Sequence, residues 1–446
     1  MPALLTRRGL LAGLAAPAPP RPNILLLLPD QWRPDWMPGQ PGIPVRLPHI
    51  EQLMARGVRF LNAITPSPLC APARACLASG KEYSRCGVAS NQFDYPLTQP
   101  TYYQLLRDAG YHVMGCGKLD LHKKTLDWGL DGRRLLREWG FSDGIDNAGK
   151  MDAVRSGLPA PKDPYMKLLH DRGMAAVHVK DMRARKAHEG TYPTPLPDDL
   201  YCDNFITRNA LTLLERAPRD QPWHLAVNFT GPHDPLDITS SMERTARDRT
   251  YPQPNRNTQN PPAHHVAVRQ NYSAMCENID RGIGQILAAV AARGELDNTL
   301  VVFSSDHGEM LGDHNRWGKH VPYQASLGIP LVLAGPGVRA RGRSRALVTL
   351  MDLAATFLDF AGLPAPAAMD SRTLRPLLAG ATRRHRSHLV AGLEGWRLVW
   401  DGRYKLIEGF EKEPQLFDLQ RDPLENLNLW AQQTRIRTHL KTLLPS

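Results

Sequence analysis

The chain has 446 residues, more than a single hydrophobic core usually holds, which predicts one large domain and a smaller one. Its composition, 42% hydrophobic and 22% charged, is typical of a globular protein, and no later apolar run is long enough for a membrane span. The formal net charge of +11 indicates either simply a basic surface or an attraction to anionic substrates. The basic residues are dispersed and match no nucleic-acid-binding motif, so we expect no nucleic-acid partner.

The first 21 residues contain a candidate export signal. Arg7 and Arg8 precede a short apolar segment, a pattern that resembles a twin-arginine signal. This pattern predicts a periplasmic or secreted protein from which residues 1–21 are removed. The alternative is a frayed N-terminal tail on a cytoplasmic protein.

Four short apolar runs predict the inner strands of a sheet. They are NILLLL (residues 23–28), HLAVNFT (224–230), TLVVFSSD (299–306) and IPLVLAG (329–335). Amphipathic helical patterns lie between the runs, and one of them covers residues 272–294. Strands that alternate with helices predict an α/β domain with a large, mostly parallel central sheet flanked by helices.

The C-terminal part of the chain has a different pattern. Two predicted strands flank the turn at Asp401 and Gly402, and a final helix follows. We therefore expect a catalytic domain over residues 22–370 and a smaller α+β subdomain with a short antiparallel sheet over residues 371–446. Residues 146–200 and 234–265 are rich in proline and charge without sustained periodicity, which predicts long loops that shape a binding site.

Polar side chains follow three of the predicted strands. They are Asp30 and Gln31 after the first, His233 after the second, and Asp306 and His307 after the third. Ligands of open parallel sheets bind at the carboxyl ends of the strands. Carboxylates together with an imidazole suit a divalent cation, so these residues predict a metal site.

The stretch PSPLCAPARACLASGK, residues 66–81, contains two of the six cysteines. Cys70 could form a disulfide, bind a metal or act as a nucleophile. The six cysteines show no paired framework, so we expect no disulfide scaffold in a chain of this length.

Taken together, these motifs resemble those of the type I sulfatases of the alkaline-phosphatase-like superfamily. The stretch above has the family pattern Cys-x-Pro-x-Arg, followed by Leu77 and Ser79-Gly80-Lys81. Further matching blocks are GYHVMGCGK (110–118), GPHDP (231–235), SSDHGEMLGDHNRWGK (304–319) and YKLI…LFDLQRDPLE in the tail. The resemblance extends from residue 23 nearly to the C-terminus and implies an alkaline-phosphatase-like fold.

The resemblance implies that a maturation enzyme oxidises Cys70 to formylglycine, also called 3-oxoalanine. The hydrate of this aldehyde, activated by a metal, would attack sulfur and form a covalent sulfate ester, which its second hydroxyl then releases. The implied metal-binding residues are Asp30, Gln31, Cys70 in its modified form, Asp306 and His307. Ca²⁺ is the first candidate ion, with Mn²⁺ and Mg²⁺ as alternatives.

Four further residues receive roles from the resemblance. Arg74 would orient the formylglycine and offset its developing charge. Lys118 and Lys319 match the lysines that hold the sulfate oxygens, where charge builds in the transition state. His233 matches the histidine that contacts sulfate and is the candidate acid for the leaving oxygen.

One departure from the family pattern bears on the mechanism. Many sulfatases have Gly-Lys-x-His, whereas this chain has Asp120 two residues after Lys118, and the nearest histidine is His122. Either His122 takes the place of that histidine from a re-routed loop, or Asp120 serves as the base, or the step proceeds differently. Of these alternatives we favour His122.

The predicted activity is sulfate ester hydrolysis by an enzyme of the arylsulfatase, choline-sulfatase-like or carbohydrate sulfatase type. The substrate would be a small sulfate ester or a sulfated carbohydrate. The first alternative is a phosphonate monoester or phosphodiester hydrolase that uses the same formylglycine site. The second is a non-catalytic binder of sulfated polymers, against which the intact Cys70 motif argues.

Overall fold

A computed structural model describes residues 21–186 and 188–444. The candidate export signal lies outside the described residues except for Arg21, so export remains a prediction. In chain order the strands are β1 (Asn23–Leu27), β2 (Gly57–Ile64), β3 (His112–Gly117), β4 (Asp143–Asp146), β5 (Trp223–Asn228), β6 (Thr299–Phe303), β7 (Val332–Ala334), β8 (Gly342–Thr349), β9 (Leu389–Leu393), β10 (Trp396–Trp400), β11 (Tyr404–Glu408) and β12 (Gln415–Asp418).

Helices fill most of the connections between these strands. In chain order they are α1 (Pro48–Arg56), α2 (Cys70–Ser79), α3 (Tyr102–Asp108), α4 (Lys150–Ser156), α5 (Pro164–Asp171), α6 (Ala175–Ala184), α7 (Cys202–Arg216), α8 (Ser240–Ala246), α9 (Pro262–Ala292), α10 (Gln324–Leu327), α11 (Asp352–Phe360), α12 (Arg375–Leu378) and α13 (Thr434–Lys441). In the described part of the chain, no helix has both the length and the hydropathy needed to cross a bilayer.

An eight-stranded sheet in the order β4-β3-β5-β1-β6-β7-β2-β8 forms the centre of the molecule. All of its pairs are parallel except those of β7, which runs opposite to β6 and β2. Every residue of β1, β5 and β6 is buried, as the uninterrupted apolar runs predict for strands covered on both faces. The predicted α/β class with a mostly parallel sheet is confirmed.

The two faces of this sheet carry separate hydrophobic cores because successive strand side chains point to opposite sides. Leu25 and Leu27 of β1 pack into one core with helices α7 and α9. Ile24 and Leu26 pack into the other, with α2, α3 and α11. The helix layers therefore hold the carboxyl ends of the central strands in a fixed arrangement.

A second sheet, antiparallel and in the order β12-β11-β10-β9, forms the predicted C-terminal unit. Its core includes Trp396 and Leu398 and also contains Leu69, the residue before α2. The backbone N–H of Gly392 donates to the carbonyl of Pro66 over 3.1 Å. The small sheet thus supports the loop that leads into Cys70.

Two segments predicted as loops were predicted wrongly. Residues 146–200 contain α4, α5 and α6, and residues 234–265 contain α8 and the start of α9. Side-chain caps explain part of the difference, since Asp163 accepts from the N–H of Met166 and Thr239 accepts from the N–H of Met242. These helices are short, so their periodicity in the sequence is weak.

Candidate active site

The carboxyl ends of β1 and β6 bring two acidic residues together. β1 and β6 are neighbours in the sheet, and each is followed within three residues by an aspartate, Asp30 or Asp306. The backbone N–H of Gln31 donates to Asp306 over 3.0 Å, and Gln31 turns the chain with a positive φ of 65°. The predicted convergence of the strand ends is present in the structure.

Cys70 is the first residue of α2 and lies over these strand ends. Its Sγ is 3.5 Å from Nε2 of His307 and 4.0 Å from Oδ1 of Asp30, and its exposed fraction is 1%. Candidate ligand atoms of Asp30, Cys70, Asp306 and His307 all lie within 4.8 Å of one another. Two carboxylates and an imidazole at this spacing fit a divalent cation.

Gln31, the fifth predicted metal-binding residue, adjoins this cluster through different contacts. Its Oε1 accepts a hydrogen bond from Lys319, and its Nε2 donates to Asp234 over 3.1 Å and to Glu309. As a metal ligand, Gln31 would share its carbonyl oxygen with Lys319. Asp234 and Glu309 were missed as site residues, although both lie in the matching blocks GPHDP and SSDHGE.

Arg74, one helical turn after Cys70, lies between the two aspartates. It donates to Asp306 over 3.0 Å and to Asp30 over 3.3 Å, and its exposed fraction is only 3%. It also donates to Oδ1 of Asn228, at 3.0 Å, and to the carbonyl of Lys118. Arg74 is therefore a buried cation of the site and not a surface residue.

Lys118 directly follows β3, and the residue before it, Gly117, occupies a position that only glycine can take. Gly117 has a φ of 84°, and a Cβ there would lie 1.9 Å from the carbonyl oxygen of Asn228. This close approach directs Nζ of Lys118 onto Asp30, with Oδ2 of Asp120 a further 3.3 Å contact. Burial would lower the pKa of Lys118, but Asp120 and Asp30 hold it well above its usual value.

Lys319 and His233 also adjoin Cys70. Nζ of Lys319 is in hydrogen-bond contact with Nε2 of His233, and Nδ1 of His233 is in contact with the carbonyl and carboxylate of Asp234. The His233 side chain is 20% exposed, whereas that of Lys118 is 3% exposed. His233 therefore lies at the solvent edge of the site.

The two lysines make the surroundings of Cys70 electropositive. Burial alone would raise the pKa of the Cys70 thiol, but Lys118, Lys319 and hydrogen bonds from His233 and His307 hold it well below its usual value. Burial would likewise raise the pKa of Asp30, which Lys118, His233 and Arg74 hold well below its usual value. The site is therefore arranged to stabilise negative charge at position 70.

Asp120 and His122, the two candidates at the departure from the family pattern, have different surroundings. Asp120 contacts Lys118 and Lys123, and its Oδ1 is buried without a hydrogen-bond partner among the described residues. His122 is fully buried, with Nε2 3.1 Å from Asp146 and its ring edge-on to Trp128. Burial and the charge of Cys70 would raise the pKa of Asp120, but Lys118 and Lys123 hold it below its usual value.

Comparison with known proteins identifies the family of this chain. The family model described as Sulfatase matches residues 22–363, and the model described as N-sulphoglucosamine sulphohydrolase, C-terminal, matches residues 312–445. The chain belongs to the sulfatase family. The predicted enzyme class, a sulfatase, is confirmed at this level.

Similar proteins cover nearly the whole chain. An arylsulfatase of Clostridium perfringens is 25% identical over 92% of this chain and 90% of its own length. A choline-sulfatase of Rhizobium meliloti is 28% identical over 92% of this chain and 82% of its own length.

Similar solved structures support the alkaline-phosphatase-like fold. A protein in complex with its substrate D-glucosamine-2-N,6-O-disulfate has a TM-score of 0.77 at 19% identity, covering 95% of this chain and 96% of its own. A phosphonate monoester hydrolase from Silicibacter pomeroyi has a TM-score of 0.80 at 23% identity, covering 95% and 93%. At these identities the similarity shows the fold alone.

Metal content tests the cluster directly. We expect wild-type protein dialysed against Ca²⁺, Mn²⁺ or Mg²⁺ to retain about one ion per chain of at least one of these metals. Asp306→Asn should retain none, because it removes a charged oxygen ligand while its amide can still accept from Arg74. Asp297→Asn, at a side chain that is 99% exposed, is the control. Equal metal content in the two variants, measured by mass spectrometry of the metals and with folding checked by circular dichroism, would contradict the site.

Proposed function

We propose that this protein hydrolyses sulfate esters at the site formed around Cys70. One observation carries the proposal: a buried cysteine begins a helix over two aspartates and an imidazole, and two lysines act on it. An anionic group that approaches Cys70 would therefore meet both a cation site and lysine side chains. Membership of the sulfatase family supports sulfate as that group.

Conversion of Cys70 to formylglycine is part of the proposal. Residues 70–74 read Cys-Ala-Pro-Ala-Arg, the pattern that the maturation enzyme of the family requires. When present, formylglycine would supply the attacking oxygen, and a divalent cation held by Asp30, Asp306 and His307 would lower the pKa of that oxygen. Ca²⁺ is the first candidate ion, with Mn²⁺ and Mg²⁺ as alternatives.

The protein's own side chains would bind the sulfate and assist departure of the alcohol. Lys118 and Lys319, whose charges both act on Cys70, would hold sulfate oxygens, where negative charge grows during the reaction. His233 lies at the solvent edge, against Lys319 and Asp234. From that edge it can give a proton to the oxygen of the departing alcohol.

We assign the role of the family's missing histidine to Asp120 rather than to His122. Both candidates have a buried atom without a partner among the described residues, Oδ1 of Asp120 and Nδ1 of His122, but Asp120 also touches the sulfate-binding candidate Lys118. His122 contacts Asp146 and is packed against aromatic rings. A carboxylate beside Lys118 can accept a hydrogen bond from position 70, whereas His122 supports the loop.

Substrate preference tests the activity itself. We expect kcat/KM for 4-nitrophenyl sulfate or a sulfated sugar to exceed that for matched phosphonate monoesters and phosphodiesters by at least about tenfold, or about 1.4 kcal/mol in transition-state binding. Cys70→Ala should remove turnover, and Cys116→Ala, at a buried cysteine on β3, is the matched control. A preference for either phosphorus ester would favour the alternative hydrolase.

The modification can be read from two adjacent tryptic peptides. Residues 60–74 contain Cys70 as their one cysteine, and residues 75–81 contain only Cys76. After coexpression with a formylglycine-generating enzyme, we expect the first peptide to be lighter than its unmodified form by about 18 Da, the difference between a thiol and an aldehyde at this carbon. The second peptide should keep its unmodified mass. An unmodified first peptide in catalytically active protein would contradict the proposed nucleophile.

Two single variants test whether Asp120 or His122 has the role of the missing histidine. Asp120→Asn should lower kcat for a sulfate ester by about 100-fold with little change in KM, because the amide keeps the shape but not the charge. His122→Asn should mainly lower thermal stability, since the imidazole is buried against Asp146 and two tryptophan rings. The opposite pattern, with kcat lost in His122→Asn and kept in Asp120→Asn, would return the role to the histidine.

A further inference from the structure

A pocket of about 470 Å³ lies against the proposed catalytic centre. It is formed by the segment before α2, the loop around Ser90, the chain after Lys118, helix α4 and the turn between β9 and β10. It adjoins the centre at three places: Leu69 precedes Cys70, His320 follows Lys319, and Lys123 binds Asp120 over 3.0 Å. The pocket is therefore placed to receive whatever is attached to a sulfate held at Cys70.

The walls of this leaving-group pocket are polar. Among the described residues that line it, Leu69 and Leu126 are the only apolar ones, and the only aromatic ring is the imidazole of His320. The remaining wall contains both hydrogen-bond donors and acceptors. They come from Ser90, Asn91, lysine and arginine side chains and two carboxylates.

Some of these polar groups are held in place by the protein. Lys123 is paired with Asp120 and Asp152, and Arg155 lies 3.6 Å from Asp152. Asn91 accepts from the backbone N–H of Ala71 at the start of α2, at 3.0 Å. This part of the wall is therefore ordered before any ligand arrives.

Other polar groups of the wall are free to bind a ligand. Within the described part of the chain, the side chains of Gln92, Lys124 and Glu394 are exposed and make no hydrogen bond or ion pair. Glu394 lies in the β9–β10 turn of the small sheet, and its backbone N–H donates to the hydroxyl of Tyr83 over 3.2 Å. One acceptor, one donor and one amide thus face the same space.

We infer that this pocket selects a hydroxyl-rich leaving group, a sugar, over an aryl or quaternary ammonium alcohol; the inference rests on the proposed function. Sugar hydroxyls both donate and accept, so they can pair with Gln92, Lys124 and Glu394 together. An aromatic ring that covered these exposed groups would displace the water around them without replacing its hydrogen bonds, which costs free energy for each group. A quaternary ammonium would meet lysines and an arginine, and the described lining has no Trp, Tyr or Phe face to bind such a cation.

A substrate panel with a pocket variant tests the inference. The panel contains 4-nitrophenyl sulfate, choline sulfate and the monosulfates of glucose, galactose, N-acetylglucosamine and glucuronic acid, each assayed for kcat/KM. We expect at least one sulfated sugar to exceed both other classes by about tenfold or more. Lys124→Ala/Glu394→Ala should lower kcat/KM for that sugar by about 10- to 30-fold, as the loss of two hydrogen bonds predicts. The loss for 4-nitrophenyl sulfate should be less than about threefold.

A matched control excludes effects of general charge. Lys162→Ala/Glu215→Ala removes the same two residue types from exposed positions that do not line the pocket, and it should leave the substrate ranking unchanged. If 4-nitrophenyl or choline sulfate is preferred over every sugar, or if the pocket variant weakens all classes equally, the inference is overturned while the proposed function stands. If the wild type turns over none of these sulfate esters, the proposed function itself is overturned.

Discussion

Two carboxylates buried side by side, Asp30 and Asp306, are the constraint on which the rest of the site depends. Two such charges in a protein interior require compensation by buried cations with good hydrogen-bond geometry. Arg74 provides it by donating to both, and it also binds Asn228 and the carbonyl of Lys118. One guanidinium thereby ties α2 to the ends of β1, β3, β5 and β6, so the position of Cys70 follows from the same contacts that neutralise the aspartates.

The small C-terminal sheet supports the other side of this arrangement. Its Gly392 binds the carbonyl of Pro66, Trp396 donates from its indole to the carbonyl of His320 over 3.0 Å, and Lys405 donates to the carbonyl of Pro322. These bonds hold the segments before Cys70 and after Lys319. The second sheet is therefore part of the scaffold of the site, and its β9–β10 turn contributes a wall of the pocket.

Much of this arrangement could be predicted from the sequence, because it rests on local patterns. Uninterrupted apolar runs mark strands buried on both faces, and polar residues directly after them mark the edge where ligands bind. That Asp120 contacts Lys118 while His122 contacts Asp146 could not be predicted, because it depends on the path of an irregular loop. Asp120 has a φ of 53° and contacts the site, whereas the imidazole two residues later contacts Asp146. The short helices within residues 146–200 were missed because they depend on tertiary packing more than on periodicity.

The departure at Asp120 also has an electrostatic consequence that joins the catalytic centre to the pocket. Asp30, Lys118, Asp120, Lys123 and Asp152 form a buried chain in which each charge touches one of opposite sign. A histidine at position 120 would leave Lys118 and Lys123 with one fewer anion between them, at a buried position where unpaired charge is costly. Lys123 compensates Asp120 on one side and forms a wall of the pocket on the other. A substitution at position 120 should therefore alter the charge environment of Lys123 in the pocket as well as that of Lys118 in the catalytic centre.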